Sequence, residues 1–178
     1  MEPGIRKVFL NPGEFIFGEW GTCVHTVLGS CIAICLWHPV LRIGGMCHFI
    51  LPSRPRDEAP SSELDGRYGD EAMRLFDLAI KLHHTEYEQY QAKIFGGGKM
   101  FNCARASEER LIGEKNVAKA EQLIRDRKIE IGVVHVGEQN YQHIVMDIAE
   151  GNVWVRNQVV KDGYSKKPSV NRIRRQTL

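Results

Sequence analysis

Residues 31–37 form an unbroken apolar run (Cys31, Ile32, Ala33, Ile34, Cys35, Leu36, Trp37), and a second run returns over residues 42–51. Short apolar runs bounded by turn residues read as buried strands. The break between them, His38-Pro39-Val40-Leu41, suits a four-residue turn with Pro at its second position. A hairpin is therefore predicted. Strands are also predicted over residues 15–17, 24–28, 93–95 and 130–136, with a further hairpin pairing 141–148 with 153–157. Helical spacing of Ala72, Leu75, Phe76, Ala79, Ile80 and Leu82 predicts a helix over 66–83, and Val117, Ala120, Leu123 and Ile124 predict another over 114–127. Residues 53–62, rich in Pro and charge, read as an exposed loop. Strands outnumber helices and hairpins imply mostly antiparallel pairing, so the class is α+β.

The first hairpin carries the chemistry. Folding it about residues 38–41 sets Cys31 directly opposite His48, with Cβ atoms about 4.5–5.5 Å apart. Strand parity puts Cys31, Ala33 and Cys35 on one face with Met46, His48 and Ile50, and turns Cys47 to the other. An imidazole so placed can serve a thiol as its base. Gly29 and Ser30, just before the cysteine, interrupt the strand and let a substrate carbonyl approach backbone N–H groups. Cys31 is thus a candidate nucleophile, His48 its base, and Gly29 and Ser30 a candidate oxyanion support.

The segments Thr26-Val27-Leu28-Gly29-Ser30-Cys31 and Gly44-Gly45-Met46-Cys47-His48-Phe49-Ile50-Leu51-Pro52 resemble the two hallmark motifs of the chemoreceptor glutamine deamidases, the CheD family of bacterial chemotaxis. Further similarity lies at residues 67–73, 93–101 and 112–117, so the resemblance runs in order over roughly residues 10–157. It implies a β-sandwich-like core with helices on the outside. It also implies a protein-glutamine deamidase that converts receptor glutamines to glutamate through a cysteine thioester. The substrates would be methyl-accepting chemotaxis receptors, with a CheC-type phosphatase as a possible partner. The family's third catalytic residue is a threonine shortly before the cysteine; Thr26 matches it, and a shift of one residue would bring His25 there instead. The chain departs from the family at Cys47 and at residues 136–143, where Gly-Gly and Gly-Arg are common. Those departures keep open a second reading, a binding adaptor for receptor or phosphatase with weak or no catalysis. Transglutamination shares the thioester but needs an amine acceptor in place of water.

Composition narrows the remaining classes. With 178 residues, 43% apolar and 26% charged, the chain suits one soluble domain, taken as residues 1–160. Residues 161–178 hold six Lys or Arg against the single acid Asp162, a charge of +5 on a chain of +2 overall, which leaves −3 on the rest. This tail reads as a solvated, flexible arm. Its one aromatic, Tyr164, makes nucleic-acid binding a poor fit. No run approaches the roughly 20 apolar residues of a membrane span, and the N-terminus has no secretory pattern, so a cytoplasmic protein is expected.

The cysteine count is odd (Cys23, Cys31, Cys35, Cys47 and Cys103), which reads as reduced thiols. Metal binding fits poorly, since Cys31 and Cys35 lie about 13 Å apart along a strand and Cys47 points away from His48. No metal or organic cofactor is expected. Gly96, Gly97 and Gly98 lack the ending of a phosphate loop and read as a close backbone approach.

Overall fold

The computed structural model describes residues 4–58, 61–98, 106–158 and 170–173. Ten strands and two α-helices are described. They are β1 (Arg6–Phe9), β2 (Phe15–Glu19), β3 (Thr22–Leu28), β4 (Ile32–His38), β5 (Ile43–Phe49), α1 (Gly69–Leu82), β6 (Gln91–Gly96), α2 (Ala106–Asp126), β7 (Glu130–Val136), β8 (Tyr141–Asp147), β9 (Val153–Gln158) and β10 (Val170–Ile173). The strands make two five-stranded sheets, ordered β1-β3-β8-β9-β10 and β2-β5-β4-β6-β7. Pairing is antiparallel except for β1 with β3 and β6 with β7. No helix among the described residues is long and apolar enough to cross a membrane.

The apolar pattern accounts for the layering. One buried cluster, including Val24, Leu28, Ala33, Cys35, Met46, Phe95, Ile144 and Val155, fills the space between the sheets. A second joins Ile32, Ile34, Leu36 and Phe49 to Phe76 and Ile80 of α1 and to Ala120 and Ile124 of α2. Strand β4 is therefore covered on both faces, which is why residues 31–37 read as a continuous run and not an alternation. Strand β8, buried on one face, alternates as a half-solvated strand should. Both helices hold on by one stripe, each buried large side chain worth about 1.5–3 kcal/mol. The stripe of α1 runs through Ala72, Met73, Phe76 and Ile80, while Leu82 stands exposed beyond it.

The site hairpin differs from expectation in register. Strands β4 and β5 pair Ala33 with His48 and Ile32 with Phe49, so Cys31 is not directly opposite His48 but one diagonal step away. The cause is the turn. His38 pairs with Ile43, leaving residues 39–42 as the loop, and the Arg42 N–H donates to the His38 carbonyl with Arg42 at φ 53°. The His38 imidazole Nδ1 accepts the Val40 and Leu41 N–H groups at 3.3 and 3.2 Å, satisfying a loop two residues wider than the expected one. A shift of two keeps every side chain on its face.

Helix α2 starts at Ala106, well before the expected 114, and β1 and β10 have no counterpart in the pattern reading. Within the basic tail expected to be a solvated arm, Val170–Ile173 pair antiparallel with β9. The rest of residues 161–178 lies outside the described residues.

Candidate functional site

Residues 29–31 form the bend by which the chain leaves one sheet, at the end of β3, and enters the other, at the start of β4. A corner between stacked sheets needs small residues, and Gly29-Ser30 supplies them. Cys31 follows at once, half-buried at the edge of the inter-sheet cluster. His48 stands near the end of β5 on the same face and is 1% exposed. Cys31 comes just before β4, one residue beyond the last ladder pair, Ile32 with Phe49, and so lies at the same end of the hairpin as His48.

Thr26 approaches His48 from the opposite sheet. Its side chain lies on the buried face of β3, and Oγ1 is 2.8 Å from His48 Nδ1. The same Oγ1 donates to the Leu10 carbonyl at 2.7 Å. A hydroxyl has one hydrogen, and a carbonyl can only accept it. Thr26 must therefore accept from His48, which places the neutral ring's proton on Nδ1 and leaves the lone pair on Nε2. That Nε2 is buried without a hydrogen-bond partner among the described residues. Burial drives the His48 pKa down to about 4, with the Leu10 carbonyl and the Glu14 charge pulling partly back, so the imidazole is neutral at pH 7. The His48 backbone is fixed as well, its N–H donating to the Glu14 carbonyl and its carbonyl accepting from Gly13.

His25 faces the other way. It lies on the outer side of its sheet, its ring stacked on His143 with centroids 5.9 Å apart. Between the two residues weighed for the third position, Thr26 is the one that meets His48. Cys35 and Cys47 are fully buried on opposite faces of the second sheet. Burial pushes the Cys47 thiol up to about 12 and Cys35 higher still, which suits structural thiols. Burial also raises Cys23, and Cys103 lies outside the described residues.

A glycine cradle fixes the cysteine loop from behind. The Gly97 N–H donates to the Cys31 carbonyl at 2.8 Å and the Gly98 N–H to the Gly29 carbonyl at 2.7 Å. Gly96, at φ 107°, lies so close that a Cβ there would stand 2.1 Å from the Cys31 carbonyl oxygen. The glycines thus serve backbone approach.

Asn116 is the site residue that pattern reading passed over. It is 0% exposed on α2, and its Nδ2 donates to the Ser30 carbonyl at 3.1 Å and the Ile50 carbonyl at 2.7 Å. The signal was present: Asn116 stands four, seven and eight residues before Ala120, Leu123 and Ile124, a polar side chain on the buried stripe.

Residues 50–157 match the model of the family described as CheD chemotactic sensory transduction. The chain is 44% identical over 151 residues to the probable chemoreceptor glutamine deamidase CheD 3 of Dechloromonas aromatica (strain RCB), covering 85% of this chain and 87% of that one. It is 42% identical to the probable chemoreceptor glutamine deamidase CheD of Pseudomonas syringae pv. syringae (strain B728a), over 87% and 86% of the two chains. The probable chemoreceptor glutamine deamidase CheD of Pseudomonas savastanoi pv. phaseolicola (strain 1448A / Race 6) is 40% identical, over 94% and 96%.

Proposed function

The chain belongs to the CheD family, and from that membership we propose that it is a protein-glutamine deamidase acting on chemoreceptors, with Cys31 as nucleophile and His48 as its base. The observation that carries the assignment of roles is the Thr26 contact. Because the Thr26 hydroxyl is already committed to Leu10, His48 holds its proton on Nδ1 and offers Nε2 as the base.

His48 Nε2 takes the Cys31 proton as Sγ bonds to the carboxamide carbon of a glutamine side chain. Backbone N–H groups of the bend at Gly29, Ser30 and Cys31 receive the oxyanion. The imidazolium then gives its proton to the amide nitrogen, the C–N bond breaks and ammonia leaves a thioester. A water, deprotonated by His48, attacks that thioester; the C–S bond breaks, the proton returns to sulfur, and glutamate is released. Thr26 holds the ring in the tautomer both halves require.

The substrates on this reading are methyl-accepting chemotaxis receptors, met in the cytoplasm, and a CheC-type phosphatase is a partner that the family membership suggests. Incubation of a receptor cytoplasmic fragment with the protein, followed by intact mass and ammonia determination, tests the reaction. Binding without mass change would instead favour the adaptor.

A further inference from the structure

Three consecutive carbonyls around the cysteine are tied down. Gly29 accepts from the Gly98 N–H, Cys31 from the Gly97 N–H, and Ser30 between them from the Asn116 side chain. The peptide bonds are trans, so each carbonyl points opposite to the N–H of the following residue in the same plane. Tying the Ser30 carbonyl to Asn116 therefore aims the Cys31 N–H away from α2. Backbone groups fix the planes on either side, but a side chain fixes this one. The same Nδ2 holds the Ile50 carbonyl, just beyond His48, so one carboxamide joins the ends of β4 and β5 past their last ladder pair, Ile32 with Phe49.

The orientation of that carboxamide admits no flip, since an oxygen cannot donate to either carbonyl. Both Nδ2 hydrogens are used, while Oδ1 is buried with no partner among the described residues. An apolar residue on this stripe would have avoided leaving an acceptor open. A polar residue that breaks a local rule inside a packed face points to the site it serves.

We propose that Asn116 is a positioning residue for the Cys31 backbone: by holding the Ser30 carbonyl it aims the Cys31 N–H at the oxyanion of the tetrahedral intermediate. The proposal rests on the deamidase reading above. It separates two properties of Cys31. Attack on a carboxamide needs the aimed N–H. Alkylation by iodoacetamide does not, because sulfur displaces iodide from carbon, the thiol proton passes to the base and no oxyanion forms.

The experiment compares the full chain with Asn116→Leu and Asn116→Ala, measuring kcat and KM on a receptor cytoplasmic fragment. Iodoacetamide labelling of Cys31, resolved by peptide mass, is followed in parallel. The expected result is a fall in kcat of about 10²-fold, the scale of losing one oxyanion donor, with KM little changed and Cys31 labelling close to wild type. Unchanged kcat overturns the proposal, and so does labelling that falls in step with kcat, since that marks a general loosening of the site. If neither variant folds, Asn116→Asp, which keeps the shape, takes their place; failure of all three to fold makes the residue purely structural and also overturns the proposal. A wild-type protein that does not deamidate defeats the deamidase reading itself, a Cys31→Ala variant that deamidates as fast as wild type defeats the nucleophile assignment, and both are told apart from the failure of this proposal by those controls.

Discussion

Thr26 and His48 meet across two stacked sheets, Oγ1 to Nδ1 at 2.8 Å, with the threonine hydrogen committed to Leu10. A residue with no ionisable group thereby selects the tautomer of the candidate base, the part that a carboxylate plays in serine-protease triads. Thr26→Val keeps the shape and removes the acceptor, stranding both the Nδ1 proton and the Leu10 carbonyl. Deamidation should fall by about 10²-fold, the lower range for a disabled general base, while Thr26→Ser, which restores the hydroxyl, should recover most of it. Equal activity of the Val and Ser variants would show that the contact has no part in catalysis.

The depressed pKa of His48 links the site to stability. The unfolded chain takes up this proton near pH 6.5 and the folded chain only near 4, so between those values the unfolded state binds more protons. The contribution of His48 is complete above about pH 6.5 and is lost as the pH falls towards 4, by roughly 3 kcal/mol. Urea unfolding at pH 7, 5.5 and 4 should show that slope in wild type and a shallower one in His48→Gln. Parallel slopes would mean that the imidazole stays accessible to protons in the folded state.

Gly96→Ala tests the cradle. The added Cβ would meet the Cys31 carbonyl oxygen at 2.1 Å, on a backbone whose φ of 107° no L side chain favours. The clash with backbone should destabilise by about 2–4 kcal/mol and displace the cysteine loop, lowering both melting temperature and deamidation. An unchanged melting temperature would contradict the close approach of β6 to Cys31.

Thiol reactivity should follow position. Cys31 is half-buried at the bend before β4, whereas Cys35 and Cys47 are sealed in the two cores with raised pKa values. Peptide-resolved iodoacetamide labelling of the folded protein should therefore reach Cys31 well before either of them. Faster labelling of Cys35 or Cys47 would mean that the hairpin opens in solution.

Much of this was legible in the pattern of residues, and the exceptions have physical causes. Parity alone put Cys31 and His48 on one face, because the side-chain period of a strand is two whatever the turn. The pairing itself depended on His38, whose imidazole caps Val40 and Leu41 and widens the loop; a side chain bonding to its own turn leaves no trace in hydrophobic periodicity. Thr26 and His25 alternate along β3, but which of them meets His48 is settled by how the sheets stack, a long-range fact. Asn116 sits on the apolar stripe of α2 and was hidden by the habit of reading a helix face for its apolar members. Strand β1 escaped because its partner is β3, paired in parallel, and its residues are largely exposed and do not alternate cleanly.

The central claim is that Cys31 is the nucleophile of a glutamine deamidation. Its most direct test is the intact mass of a receptor cytoplasmic fragment after incubation with wild type, Cys31→Ala or Cys31→Ser. Hydrolysis of an amide to an acid adds about one dalton per event and releases one ammonia. The account predicts that gain with wild type and none with either variant, both variants keeping the wild-type melting temperature within a few degrees. A Cys31→Ala protein that deamidates the fragment as fast as wild type would contradict it.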